Sequence, residues 1–88
     1  MVDVFQISGL KIGVSAKIFA ICEDKSLRKT KNGDLYIDLL LRDKSGSIYS
    51  KLWSNVDYFR DKFDVSDIVF VKGKVELYRK KKQFNISS

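Results

Sequence analysis

From Val14 onward, the apolar positions of this chain fall into short runs at a period of two, interrupted once by a run at helical spacing. The segment Val14–Ser26 holds Ile18-Phe19-Ala20-Ile21-Cys22, a strand-like run. It continues through Leu27–Thr30 to Lys31-Asn32-Gly33-Asp34. Asn-Gly is a strong hairpin signal because both positions tolerate positive φ. In the next stretch Leu35, Ile37, Leu39 and Leu41 share one face, and Tyr36, Asp38, Leu40 and Arg42 the other. That alternation marks a half-buried strand. Leu40 breaks the pattern: it is either an apolar rest on a polar face or a sign that the register slips there. Asp43-Lys44-Ser45-Gly46 reads as a turn. A third strand follows, with Ile48, Ser50 and Leu52 on one side and Tyr49, Lys51 and Trp53 on the other.

The period then changes. Ser54-Asn55-Val56-Asp57 resembles a helix N-cap with an acidic residue three positions on. Val56, Phe59 and Phe63 stand at i, i+3 and i+7, one apolar stripe of a short helix that Asp64–Asp67 ends. Ile68–Glu76 is β-branched and in phase at Val69, Val71, Gly73 and Val75, with Gly73 predicting a bulge or a close backbone crossing. Leu77–Lys82 reads as a basic turn and Gln83–Ile86 as a last strand. The order is three strands, a helix and two strands. That is an all-β chain with one short helix, and it predicts a five-stranded OB-fold Greek-key barrel with the helix between strands 3 and 4. The first dozen residues, with Gly9 and Gly13 as breaks, read as an N-terminal arm over 1–13 packed on a domain spanning 14–88.

Composition narrows the function classes. Eighty-eight residues fit one small core. One cysteine, Cys22, allows no internal disulfide and reads as a small buried hydrophobe. With no histidine, the chain lacks the commonest general base and a frequent metal ligand, and its carboxylates are scattered. The expectation is no catalytic site, no metal site and no cofactor. The N-terminus lacks a signal peptide's pattern and no apolar run spans a membrane, so a cytoplasmic protein is expected.

Seventeen Lys and Arg oppose eleven Asp and Glu, a net charge of +6 that favours polyanionic partners. Its distribution matters more. Lys25–Gly33, read as the first loop, holds Lys25, Arg28, Lys29 and Lys31 without an acid. Lys72–Lys82 holds Lys72, Lys74, Arg79, Lys80, Lys81 and Lys82 against Glu76 alone, whereas the helical segment is acidic. OB folds bind oligonucleotides across strands two and three and the loops that flank them. On that face Tyr36, Arg42, Tyr49, Lys51 and Trp53 interleave aromatic rings with cations, as sequence-tolerant single-strand binding requires. The candidate nucleic-acid-binding set is therefore Arg28, Lys29, Lys31, Tyr36, Arg42, Tyr49, Lys51, Trp53, Arg79, Lys80, Lys81 and Lys82. Several have a structural alternative. Arg79–Lys82 would also serve as a solvated turn that keeps an edge from aggregating. Tyr36 and Tyr49 would also serve as cross-strand partners, and Trp53 could pack under the helix. Tyr78 reads as a strand-end packing residue. Asp38 would repel phosphate and reads as a partner that fixes Lys51 or Arg42.

Several phrases together resemble a family: Leu27-Arg28-Lys29-Thr30-Lys31-Asn32-Gly33, Tyr36-Ile37-Asp38-Leu39, Asp43-Lys44-Ser45-Gly46, Lys51-Leu52-Trp53, Asp67-Ile68-Val69, and Val71-Lys72-Gly73-Lys74-Val75-Glu76-Leu77-Tyr78. They are similar to the N-terminal OB domain of YhaM-type 3′–5′ exoribonucleases of Gram-positive bacteria, with a fainter likeness to the anticodon-binding domains of aminoacyl-tRNA synthetases. The turn at Arg79–Lys82 lacks the glycine this family often has there. The resemblance implies a substrate-binding module for single-stranded RNA or DNA, joined in a parent chain to a C-terminal HD nuclease domain that would hold the divalent metal. The alternative is an OB barrel whose strand face docks another protein or domain, which Leu40 slightly favours.

Overall fold

A computed structural model describes residues 4–87. In chain order the elements are β1 (Val4–Phe5), a 3-10 turn (Ile7–Gly9), β2 (Ser15–Lys29), β3 (Leu35–Asp43), β4 (Gly46–Leu52), α1 (Val56–Phe59), β5 (Ile68–Tyr78) and β6 (Lys81–Ile86). Strands β2 to β6 form the five-stranded barrel. Its ring runs β2, β3, β4, β6, β5 and closes by pairing β5 back onto β2. The two-residue β1 pairs parallel with β2 at Lys17 and Ile18. Counting β1, the helix falls between β4 and β5, which is between the third and fourth strands of the barrel.

The alternation at Leu35–Arg42 holds. Ile37, Leu39 and Leu41 point into the core, joined by Ile48 and Leu52 from β4, Ile18 and Cys22 from β2, Val75 from β5, and Phe84 and Ile86 from β6. Burial pushes the Cys22 thiol up from its ordinary range, which keeps it a neutral packing group. Leu40 faces outward opposite Tyr49, and the β3–β4 register does not slip. Gly73 marks a close crossing: a Cβ there would collide with the Asn85 carbonyl and the Ile86 backbone. Any other residue would push β6 away and open the ring.

Several expectations change. The basic stretch at 25–29 is not loop: β2 runs unbroken to Lys29, and the connection to β3 is only Thr30–Asp34. Lys, Arg and Ser suit loops, but the ladder from Asp24↔Leu40 to Lys29↔Leu35 supplies their backbone partners and overrides that preference. A bulge between Cys22 and Asp24 inserts Glu23 and reverses the alternation beyond it. The Asn-Gly turn takes positive φ at Gly33 alone (φ +87°), closed by the Gly33 N–H donating to Thr30 O, while the Thr30 hydroxyl accepts from Asn32 N–H and Asp34 N–H. The helix is a single turn without a side-chain cap, because Asn55 takes a left-handed conformation (φ 55°). Phe59 and Phe63 still pack against the core, and Asp64–Asp67 closes the segment with a turn.

The N-terminal segment contributes to the core through buried Ile7 and Leu10; Met1–Asp3 of the expected arm, and Ser88, lie outside the described residues. Asp43 pins this segment to the β3–β4 turn. Its carboxylate accepts from Ile7 N–H at 2.9 Å and from Ser45 N–H at 2.7 Å. Burial pulls its pKa upward, but hydrogen bonds from the Ser45 hydroxyl and the Ile7, Ser45 and Gly46 N–H groups outweigh this and hold the carboxyl below the usual range.

Candidate nucleic-acid interface

The outward side chains of β3 and β4 meet the β5–β6 hairpin across a groove of about 440 Å³ lined by Asp38, Tyr49, Lys51, Tyr78, Arg79, Lys81, Lys82 and Gln83. An aromatic pair stands beside it. Tyr36 of β3 and Trp53, just past β4, stack with ring centroids 4.5 Å apart. Trp53 is 44% exposed, so it sits on this outer face and not under the helix. One wall of the groove is Tyr78, at the end of β5 and 48% exposed. The Lys51 ammonium stands between the pair and Tyr78, 5.1 Å from the Tyr36 centroid, 5.1 Å from Tyr78 and 6.0 Å from Trp53. A cation held over ring faces in this way is stabilised by the ring quadrupoles. Tyr78, expected as a strand-end packing residue, thus lines the groove beside Lys51. The signal that could have revealed it is parity, since it shares the outward face of β5 with Lys74 and Glu76, and pairs with Lys81.

The twelve candidate residues separate by place. Tyr49, Lys51, Arg79 and Lys81 line the groove, and the Tyr36–Trp53 pair stands beside it under the Lys51 ammonium. Arg28 reaches its rim as the cross-strand neighbour of Tyr36, and its Nε lies 3.2 Å from Asp38. This corrects the expected pairing of Asp38 with Lys51 or Arg42. Lys29 and Lys31 are exposed at the tip of the β2–β3 hairpin. Lys80 is exposed in the β5–β6 turn, where Arg79 and Lys80 both take left-handed φ (49° and 67°). Two residues are tied elsewhere, Lys82 although it also lines the groove. Arg42 is at the far end of β3, opposite Ser47, with Nε 3.4 Å from Glu23. Lys82 has inward parity, and its Nζ donates to Leu10 O at 2.6 Å, which ties the hairpin to the N-terminal segment.

The count of basic residues over Lys72–Lys82 also overstated convergence on the groove. Lys72 lies opposite Lys17 on the β2–β5 side of the barrel. Lys25 is likewise removed: its ammonium donates to the carbonyls of Arg60 and Phe63 at 2.5 Å each and lies 4.3 Å from the Phe63 ring centroid. Its side chain is only 16% exposed, so it fastens the helical segment to the barrel.

Residues 13–88 match the tRNA anticodon family, described as an OB-fold nucleic acid binding domain. The chain belongs to this family. Among curated proteins it is similar to the 3′–5′ exoribonuclease YhaM of Listeria innocua, 29% identical over 76 residues, which cover 86% of this chain and 24% of that protein. It is also similar to YhaM of Oceanobacillus iheyensis, 31% identical over 77 residues, with coverage of 88% and 24%. The chain thus spans about a quarter of the length of these relatives and corresponds to their N-terminal region. Among solved structures, the second OB-fold domain of replication protein A from Methanococcus maripaludis superposes with a TM-score of 0.75 at 26% identity, covering 97% of this chain and 90% of that one. The OB-fold barrel, with its single short helix, is therefore a nucleic-acid-binding fold of known kind. No helix among the described residues is long and apolar enough to cross a membrane.

Proposed function

We propose that this domain binds single-stranded nucleic acid, RNA in particular, along the groove between the β3–β4 face and the β5–β6 hairpin. The observation that carries this reading is the Lys51 ammonium among three aromatic rings, with Arg79 and Lys81 on the groove wall. Bases stack on exposed rings whatever their identity, and cations beside them neutralise phosphate. In a longer chain the domain would hold substrate for a separate HD nuclease domain, in the cytoplasm, and would raise its local concentration by tethering. Among the described residues, no three His, Cys, Asp or Glu side chains stand close enough to hold a metal ion. Cleavage and its metal would belong to that separate domain, and this one binds without cutting.

A second reading, a docking module for another protein, is favoured by the β2–β5 face, where Phe19, Phe70 and Ile68 are exposed. Fluorescence anisotropy with a labelled single-stranded RNA at two salt concentrations tests the first reading. Each neutralised phosphate lowers log K by about 0.7 per decade of salt, so four contacts predict about a 50-fold loss between roughly 50 and 200 mM. Equal affinity at both concentrations would overturn the electrostatic account.

A further inference from the structure

A carboxylate in the middle of a phosphate-binding groove lowers affinity for any polyanion unless it does something else. Asp38 occupies that position. It lines the groove and lies directly opposite Lys51 in the β3–β4 ladder. Arg28 approaches one of its oxygens, Oδ2, at 3.2 Å. A carboxylate offers about four acceptor sites on two oxygens, so the pair with Arg28 leaves capacity to spare. The floor of the groove thus presents a fixed donor, the Lys51 ammonium, beside a fixed acceptor, the Asp38 carboxylate. Rings that can stack a base, Tyr36, Trp53 and Tyr78, stand on either side.

Single-stranded nucleic acids are read by stacking the base and hydrogen-bonding its exposed edge. Only guanine carries a carbonyl acceptor next to two adjacent N–H donors, O6 beside N1–H and N2–H. Uracil offers one N–H flanked by carbonyls, and its second carbonyl would face the carboxylate. Adenine and cytosine each place an unprotonated ring nitrogen where the carboxylate needs a donor. We infer that the groove prefers guanine, with Asp38 accepting from N1–H and N2–H and Lys51 donating to O6. This inference rests on the nucleic-acid reading of the same groove.

The test uses short ribo-oligonucleotides of uridine whose central base is uracil, adenine, cytosine, guanine or inosine, the last being guanine without its 2-amino group. Affinity is measured by anisotropy at low salt. Guanine at the centre should bind about tenfold more tightly than uracil, the size of one good bidentate contact, with inosine between them. In Asp38→Asn the guanine and inosine oligomers should bind within about twofold of each other, while the all-uridine oligomer binds as well as before or better, since a negative charge has left the groove. Arg28→Ala keeps the acceptor and should weaken every oligomer while preserving the order of bases. Equal binding of all five by the unaltered protein would overturn guanine selection and leave the general reading standing. No binding of any oligomer would overturn both. Preference for guanine that survives intact in Asp38→Asn would remove Asp38 from the role.

Discussion

On the β3–β4 face Tyr36 and Trp53 lie ring to ring at 4.5 Å; on the β2–β5 face Phe19 and Phe70 do so at 4.3 Å. Both pairs arise from the same rule, that alternate residues of a barrel strand point outward. Their surroundings differ. The first pair has a lysine ammonium over its rings, hydrogen-bonding tips, and a facing hairpin that carries Tyr78, Arg79 and Lys81. The second is a cross-strand pair of plain hydrocarbon rings. Along that ladder the cations Lys17 and Lys72 stand two residue pairs away, opposite each other. In the proposed reading the hairpin wall and the cation beside the rings, and not an exposed aromatic pair alone, make a nucleotide platform.

The largest expected effect comes from removing the wall's charge. Replacing Arg79, Lys80 and Lys81 together by Ala should weaken single-strand binding by about 100-fold at low salt and flatten the slope of log K against log salt by about 2, three contacts at roughly 0.7 each. An unchanged slope in the anisotropy titration would reduce that hairpin to solvated surface. Next comes the direct contest between the two aromatic pairs. Trp53→Ala should cost about 1–3 kcal/mol of binding with little change in slope, because stacking releases no counterions, whereas Phe19→Ala should leave binding intact. The reverse ranking would move the nucleic-acid site to the β2–β5 face. Circular dichroism confirms that both variants are folded.

The smallest effect concerns the turn that joins the wall's two strands. A two-residue hairpin with positive φ at both central positions is usually built from Asn and Gly, and a side chain held in the left-handed region costs roughly 1 kcal/mol. Here Arg79 and Lys80 hold those positions (φ 49° and 67°). Lys80→Gly should raise the unfolding free energy by up to about 1 kcal/mol while lowering RNA affinity slightly. Lys80→Ala should lose the same affinity with no gain in stability. Equal denaturation midpoints for the Gly and Ala variants would show that the turn carries no such strain.

The parts of this molecule legible in its sequence are those where one local rule decides. The inward set Ile37, Leu39 and Leu41, the outward set Tyr36, Asp38 and Leu40, and the tight crossing at Gly73 all follow from alternation and from the absence of a side chain. The remaining features depend on partners distant in sequence. Lys25 carries the composition of a loop, but a ladder with β3 and two carbonyls of the helical segment hold it in place. Lys82 belongs to a basic run, yet strand parity turns it inward to Leu10, seventy-two positions away. The apolar stripe Val56, Phe59 and Phe63 predicts a longer helix than forms, because Phe63 packs on the core from a turn after regular helix stops at Phe59. For Tyr78, the missing information was which strand end would face Lys51.

The ring closes through unequal seams. β2 and β5 pair over seven residue pairs, whereas β4 and β6 meet in parallel over only four, Tyr49↔Gln83 to Leu52↔Ile86. The groove lies across the shorter seam, with Lys51 and Tyr49 on one side and Lys81 and Gln83 on the other. A strand of nucleic acid that touches both sides acts as a clasp. It binds only while the seam is shut, so its binding free energy adds to the work of opening the barrel, about 2.7 kcal/mol when the free ligand stands at 100 times its Kd. A chain with a single cysteine has no disulfide staple of its own. If the groove binds a single strand as proposed, that polymer serves as its staple, and the grip and the integrity of the barrel rise and fall together.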